Sequence, residues 1–138
     1  MKFIDGGVTA AEGFIAGGMY CGIRHNRSKP DLAMIYSQVP CAAAAVYTSN
    51  LVKGAPIQVT KRNLKNGRAQ AVICNSGNAN TCNFDGEEKA WRMCEIAGKA
   101  LNIPAEDVVV ASTGVIGQVL PIEPVEQAAP QLAASLSR

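Results

Sequence analysis

Apolar positions recur along the chain in two rhythms. Residues 31–38 (DLAMIYSQ), 43–49 (AAAVYTS), 69–74 (AQAVIC) and 108–112 (VVVAS) are short apolar runs rich in β-branched and aromatic side chains. Bounded by Gly, Pro, Asn and Ser, they predict strands, the first two joined through Val39, Pro40 and Cys41. Over 85–101 (DGEEKAWRMCEIAGKAL) the rhythm lengthens: Ala90, Met93 or Cys94, Ala97 and Leu101 return at helical spacing. That predicts an amphipathic helix with Asp85 as N-cap, Glu88 in the capping-box position, and Trp91 and Cys94 as packing residues. A second helix is predicted over 57–65, after Pro56 and before Asn66-Gly67, although Ile57, Val59 and Thr60 are β-branched; its basic face of Lys61, Arg62 and Lys65 reads as solvated. Beyond Pro121 the run EPVEQAAPQLAASLSR is helix-prone, with Pro130 as a break or a new start. Near the N-terminus, six glycines between 6 and 22 punctuate small apolar residues, the mark of turns between short extended pieces.

Strands alternating with helices give an α/β fold, and 138 residues suit a single domain with a core of its own. Hydrophobic residues make up 48% of the chain but aromatics only 5%, so the core is built from Ala, Val, Ile and Leu. A net charge of +2 without a basic run argues against nucleic acid as a partner. Cys21, Cys41, Cys74, Cys82 and Cys94 form no CxxC pair and His25 is the single histidine, so neither a disulfide framework nor a zinc site is favoured. The start, MKFIDGGVTAAEG, lacks the apolar stretch of a secretion signal, and no run approaches a membrane span; a cytoplasmic protein with reduced thiols and no membrane partner is expected.

Candidate chemistry lies in 108–121 (VVVASTGVIGQVLP), where an apolar strand delivers its end into Ser112, Thr113 and Gly114. Glycine tolerates positive φ and lets another molecule approach the main chain, so amides held there can face a developing oxyanion. An ordinary strand-to-helix connection is the plainer alternative. A second strand ends in NSGNAN (75–80), whose residues build tight turns and equally suit a polar ligand. The N-terminal glycines form neither GxxxxGK[ST] nor a GxGxxG opening a helix, which argues against a phosphate cradle.

Five stretches together resemble the ornithine/glutamate N-acetyltransferase family of arginine biosynthesis. They are GVTAAEGFIAGGMYCGI (7–23), KPDLAMI (29–35), YTSNLVKGAPI (47–57), VICNSGNANTC (72–82) and VVVASTGVIGQVLPI (108–122), in this order and across nearly the whole chain. The resemblance implies an αββα layered sandwich shared with self-processing aminopeptidases, of which this chain would be only a part. It also implies a precursor that cleaves itself into α and β chains, the new N-terminal threonine of the β chain being the nucleophile. That threonine would take acetyl from N-acetylornithine and pass it to glutamate; some members also accept acetyl-CoA, as a substrate and not a bound cofactor. Thr113 and Gly114 match the family's oxyanion-stabilising Thr-Gly pair, the donors being the Gly114 N–H and either the hydroxyl or the N–H of Thr113. The partners implied are the β chain and an α2β2 assembly.

None of Thr9, Thr48, Thr60, Thr81 or Thr113 matches the nucleophile, and the family's Ala-Thr cleavage point is absent before Arg138. The chain therefore reads as the N-terminal part of an α chain, inactive alone and with core surface awaiting a partner. A self-processing amidase or aminopeptidase of the same fold, or a noncatalytic binding module, remain the alternatives. Amides at 113 and 114 already bonded within the protein would favour the last.

Overall fold

A single sheet carries four strands in chain order: β1 (Phe14–Met19), β2 (Leu32–Ala42), β3 (Arg68–Asn78) and β4 (Val108–Val115). The structure, a computed structural model, describes Phe3 and residues 5–138; apart from Phe3, the first four residues read above lie outside the described ones. β1, β2 and β3 pair antiparallel, whereas β3 and β4 run parallel and need a crossover, which α2 (Gly86–Leu101) supplies. Helices α1 (Ala55–Asn63) and α3 (Glu123–Ser135) complete the helical layer. This is the α/β architecture that the alternation of strand and helix predicts.

Strand alternation decides which residues meet that layer. Leu32 and Met34, Ala71 and Ile73, and Val108 and Val110 share one face, and all are buried against Val59, Ala90, Met93, Ala97, Val125, Ala129 and Leu132 of the helices. Each Val, Leu, Ile and Met among them contributes about 1.5–3 kcal/mol by leaving water, and each alanine methyl less. The opposite face carries Ala16, Ile35, Val72, Cys74, Val109 and Ala111, and none of these belongs to the buried core. An apolar sheet face left uncovered is a surface built to be covered.

Four expectations are corrected. The strand expected over 43–49 does not form; β2 instead continues through Val39, Pro40 and Cys41 to Ala42, and 43–50 carries no regular structure. Pro40 lacks a ladder donor, and the register shift between Tyr36 and Cys41 absorbs it, so that Cys41 and Ala42 pair with Ala69 and Arg68. Asp85 does precede α2, but φ −102 and ψ 12 take it out of the extended geometry, and its side chain makes no capping bond. Pro130 neither breaks nor starts a helix: α3 runs through it, since the carbonyl it cannot serve, that of Glu126, lies on the exposed side. Finally, β3 and β4 outlast the predicted 69–74 and 108–112, so part of each presumed turn is strand. On α1, Arg62 and Lys61 are stacked over aromatic rings, 4.7 Å from the Trp91 centroid and 4.9 Å from that of Tyr47.

The connection from β1 to β2 winds around one carboxylate. Asp31 is 2% exposed and accepts the amides of Cys21 (2.6 Å), Gly22 (3.2 Å) and Arg24 (2.8 Å). Burial alone would raise its pKa, but these donors outweigh it and hold the carboxyl below its ordinary range. Asp31→Ala strands three amides, and we expect it to cost about 3 kcal/mol, read as a lower urea midpoint at pH 7. The folded pKa is depressed, so this stability is present above the ordinary carboxylate value and is lost as pH falls through the folded one. Wild type and variant should therefore converge in stability as acidification carries the pH through the depressed folded value of Asp31.

Candidate functional site

Parallel pairing brings the two polar stretches together at the carboxyl ends of β3 and β4. Asn75 faces Ser112, Ser76 faces Thr113, and Gly77 faces Gly114. The two strand-end loops, expected from the sequence to flank one helix around a site at the strand ends, thus meet directly, at the end of a parallel pair where α/β folds place ligands. Alternation sends Ser76 and Thr113 to the uncovered sheet face, beside Cys74 and Ala111. There a shallow depression of ≈ 220 Å³ is bordered by Asp31, Ala33, Ser76 and Thr113.

Gly114 is fixed by its own protein. With φ +137, a Cβ here would stand 2.3 Å from the Gly77 carbonyl carbon and 2.4 Å from the Asn78 nitrogen. The close approach expected from an external molecule is made first by the neighbouring strand.

The directions of the β4 amides follow from three contacts. The Thr60 hydroxyl donates to the Val110 carbonyl (3.0 Å) and accepts from its N–H (3.2 Å), and Asn63 Nδ2 donates to the Val108 carbonyl (2.9 Å). The main-chain groups of 108 and 110 therefore face off the sheet edge, towards α1. The Val115 carbonyl instead accepts from Ala79 N–H (2.9 Å), so 113 and 115 face β3. Thr113 thus spends its N–H and C=O on the ladder. Because the 113–114 peptide is trans, the Gly114 N–H points the opposite way, off the free edge. The Thr113 side chain is exposed at the rim between that edge and the uncovered face. Of the donors weighed for Thr113, its N–H is committed and its hydroxyl is the one presented outward.

The asparagines of 75–80 are committed to main chain. Asn75 and Asn78 are 3% exposed and Asn80 is 0% exposed. Asn75 Nδ2 donates to the Asn78 carbonyl (2.9 Å), the Asn80 N–H donates to Asn78 Oδ1 (2.8 Å), and Asn80 Nδ2 donates to the Gly86 carbonyl (2.8 Å). The loop is a bracket that ties β3 to the start of α2, in line with the structural reading of NSGNAN. Sequence reasoning missed Asn83 and Gln118, which join the bracket from outside: Asn78 Nδ2 (2.9 Å) and Asn83 Nδ2 (2.7 Å) both donate to the Gln118 carbonyl. Amide side chains at fixed offsets from a strand end were the only signal.

Three of the thiols, Cys21, Cys74 and Cys94, do not offer a nucleophile. Burial, helped by Asp31, pushes Cys21 up to about 12, and burial does the same for Cys94, while Cys74 beside the depression is also raised by burial. All three stay protonated at neutral pH. Among the described residues, no group of three or more His, Cys, Asp and Glu could hold a metal ion, and no helix is long and apolar enough to cross a membrane.

Against this geometry stand the comparisons with known proteins. Residues 15–138 match the family model described as the ArgJ family. The arginine biosynthesis bifunctional protein ArgJ of Gloeobacter violaceus is 50% identical over 133 residues, which is 95% of this chain and 32% of that protein. That of Symbiobacterium thermophilum is 48% identical over 139 residues, 99% of this chain and 35% of that protein. The chain thus spans about a third of the length of the curated relatives it matches. The solved ornithine acetyltransferase of Mycobacterium tuberculosis, complexed with ornithine, superposes with a TM-score of 0.90 at 37% identity, covering 95% of this chain and 71% of that one.

Proposed function

The chain belongs to the ArgJ family, and from that premise we propose that it supplies the oxyanion-stabilising half of an acetyltransferase working in arginine biosynthesis. The whole enzyme would move acetyl from N-acetylornithine, or from acetyl-CoA, to glutamate. This chain would be a single-domain part of its α chain. The observation that carries the reading is the placement of two donors at one rim: the Gly114 N–H off the sheet edge and the exposed Thr113 hydroxyl beside it.

In the reaction proposed, the N-terminal threonine hydroxyl of the β chain attacks the acetyl carbonyl, and the carbonyl π electrons move to oxygen. Gly114 and Thr113 donate to that oxygen while its charge is greatest, which lowers the barrier without tightening ground-state binding. The C–N bond then breaks, the ornithine amine leaves with the proton taken from the hydroxyl, and acetyl remains on threonine. The glutamate amine attacks this ester through the same oxyanion and returns the proton. Dividing the transfer into two steps avoids one direct displacement between two amines.

The partner follows from the uncovered sheet face. Ala16, Ile35, Val72, Cys74, Val109 and Ala111 offer an apolar layer on which a second sheet of the cytoplasmic α2β2 enzyme would pack, completing the αββα sandwich. The test is transfer of labelled acetyl from N-acetylornithine to glutamate by the full-length protein. Acetylglutamate formed in step with ornithine release supports the reading. Release of acetate with no acetylglutamate replaces it with an amidase of the same fold.

A further inference from the structure

Beyond Gly114 the chain must turn from β4 towards α3, and four hydrogen bonds pin that turn to 78–83. Val115 C=O accepts from Ala79 N–H (2.9 Å), Gly117 N–H donates to Thr81 C=O (3.1 Å), and Gln118 C=O accepts from both Asn78 and Asn83. Asn78 alone grips the pair from both sides. Its main chain pairs with Thr113 and with Val115, astride Gly114, at a bulge where Gly77 and Asn78 break the register. Its side chain reaches past Gly114 to the Gln118 carbonyl, and its own carbonyl is held by Asn75.

We propose that Asn78 is the positioning residue of the oxyanion site, with Asn83 as an outer support, the two amides clamping the Gln118 carbonyl so that the Gly114 N–H keeps its direction. The inference rests on the oxyanion role proposed above for Thr113 and Gly114. A peptide N–H aimed off a free edge has no ladder partner to fix it. Its plane is shared with the Thr113 carbonyl, so it keeps its direction only while that carbonyl stays in the ladder, and Gly114, with the weakest torsional preference of any residue, does nothing to hold the chain beyond it. Val115, Ile116 and Val119 around it are half or more exposed and the first core anchor beyond Gly114 is Leu120, so between those two points hydrogen bonds rather than apolar packing hold the turn. The bracket supplies what packing does not. Donors acting on a developing charge are effective only when held before the charge appears.

The roles separate by burial. Asn78 is buried in the core of the bracket, whereas Asn83 is only half-buried at its outer side, so its truncation disturbs the packing less. In the full-length enzyme, Asn83→Ala and Asn78→Ala are compared with wild type for kcat, for KM towards N-acetylornithine, and for thermal midpoint. Looser aim weakens the transition state and not substrate binding, so the expected result is a kcat loss of about threefold for N83A and tenfold or more for N78A, with KM held within about twofold. A residue that only stabilised the fold would lower the midpoint and leave the kcat of the folded fraction unchanged. That outcome, or kcat within about twofold of wild type in both variants, overturns the proposal. Thr113→Val is run beside them. If it loses kcat while N78A and N83A do not, the clamp fails and the oxyanion reading survives; if T113V keeps kcat, the Thr113 hydroxyl is not a donor and the two-donor site fails.

Discussion

Gly114→Ala is expected to unfold the carboxyl ends of β3 and β4 and to abolish activity for a structural reason. The added methyl would stand 2.3 Å from the Gly77 carbonyl carbon, 2.4 Å from the Asn78 nitrogen and 2.7 Å from Gly77 Cα. All three are backbone atoms inside a parallel ladder, where no side chain can rotate away. To this is added φ +137, a conformation an alanine rarely adopts. Overpacking of this kind and backbone strain each cost about 1–3 kcal/mol, so a combined loss of about 3–5 kcal/mol is expected from a domain whose whole stability is of order 5–15. The check is a urea midpoint on the full-length protein, with faster hydrogen exchange of the β3 and β4 amides. Gly77→Ala serves as the control. Its methyl would meet Arg24 Cγ at 2.7 Å, the stem of a long side chain that can swing, and the Ile23 methyl at 3.2 Å. It should cost less than G114A although its φ is also positive. Equal midpoints for G114A and wild type would remove the steric account. Loss of activity in G114A therefore carries no information about an oxyanion, and the chemical role must be read from its neighbour.

The helical period over 85–101 was legible because Met93, Cys94 and Ala97 face one core whatever their partners, and three of the four apolar runs announced a sheet for the same reason. What stayed illegible depended on neighbours. The AAAVYTS run has strand composition, but no strand lies beside it to pair with, and Val46 is 99% exposed. Pro130 lies inside α3 because the side it would disrupt faces water, which no window of sequence reveals. The site was legible as two strand ends with turn residues. That Ser76 would face Thr113, and that Asn78 would hold Gln118 forty positions on, is set by the parallel register and not by spacing. The glycine at 114 drew notice for the right residue and an incomplete reason: its missing side chain makes room for β3.

Thr113→Val is expected to lower kcat about 100- to 1000-fold in the full-length enzyme, the cost of removing one oxyanion donor, with little change in KM. Valine keeps the shape and β-branching of threonine, so the strand geometry at 113 is retained and only the hydroxyl is lost. Since Thr113 is exposed at the rim, no buried acceptor is orphaned and the thermal midpoint should stay close to that of wild type. Thr113→Ser separates hydroxyl from methyl. Serine restores the donor with a looser χ1, and kcat should recover to within about tenfold of wild type. This pair also decides between the two donors that the residue contains. The Thr113 N–H is spent in the ladder with β3 and is present in every variant, so a strand amide acting as the donor would leave T113V as fast as wild type. A loss in T113V with recovery in T113S assigns the donation to the side chain, and with the Gly114 N–H it completes a two-donor site at the open edge of β4.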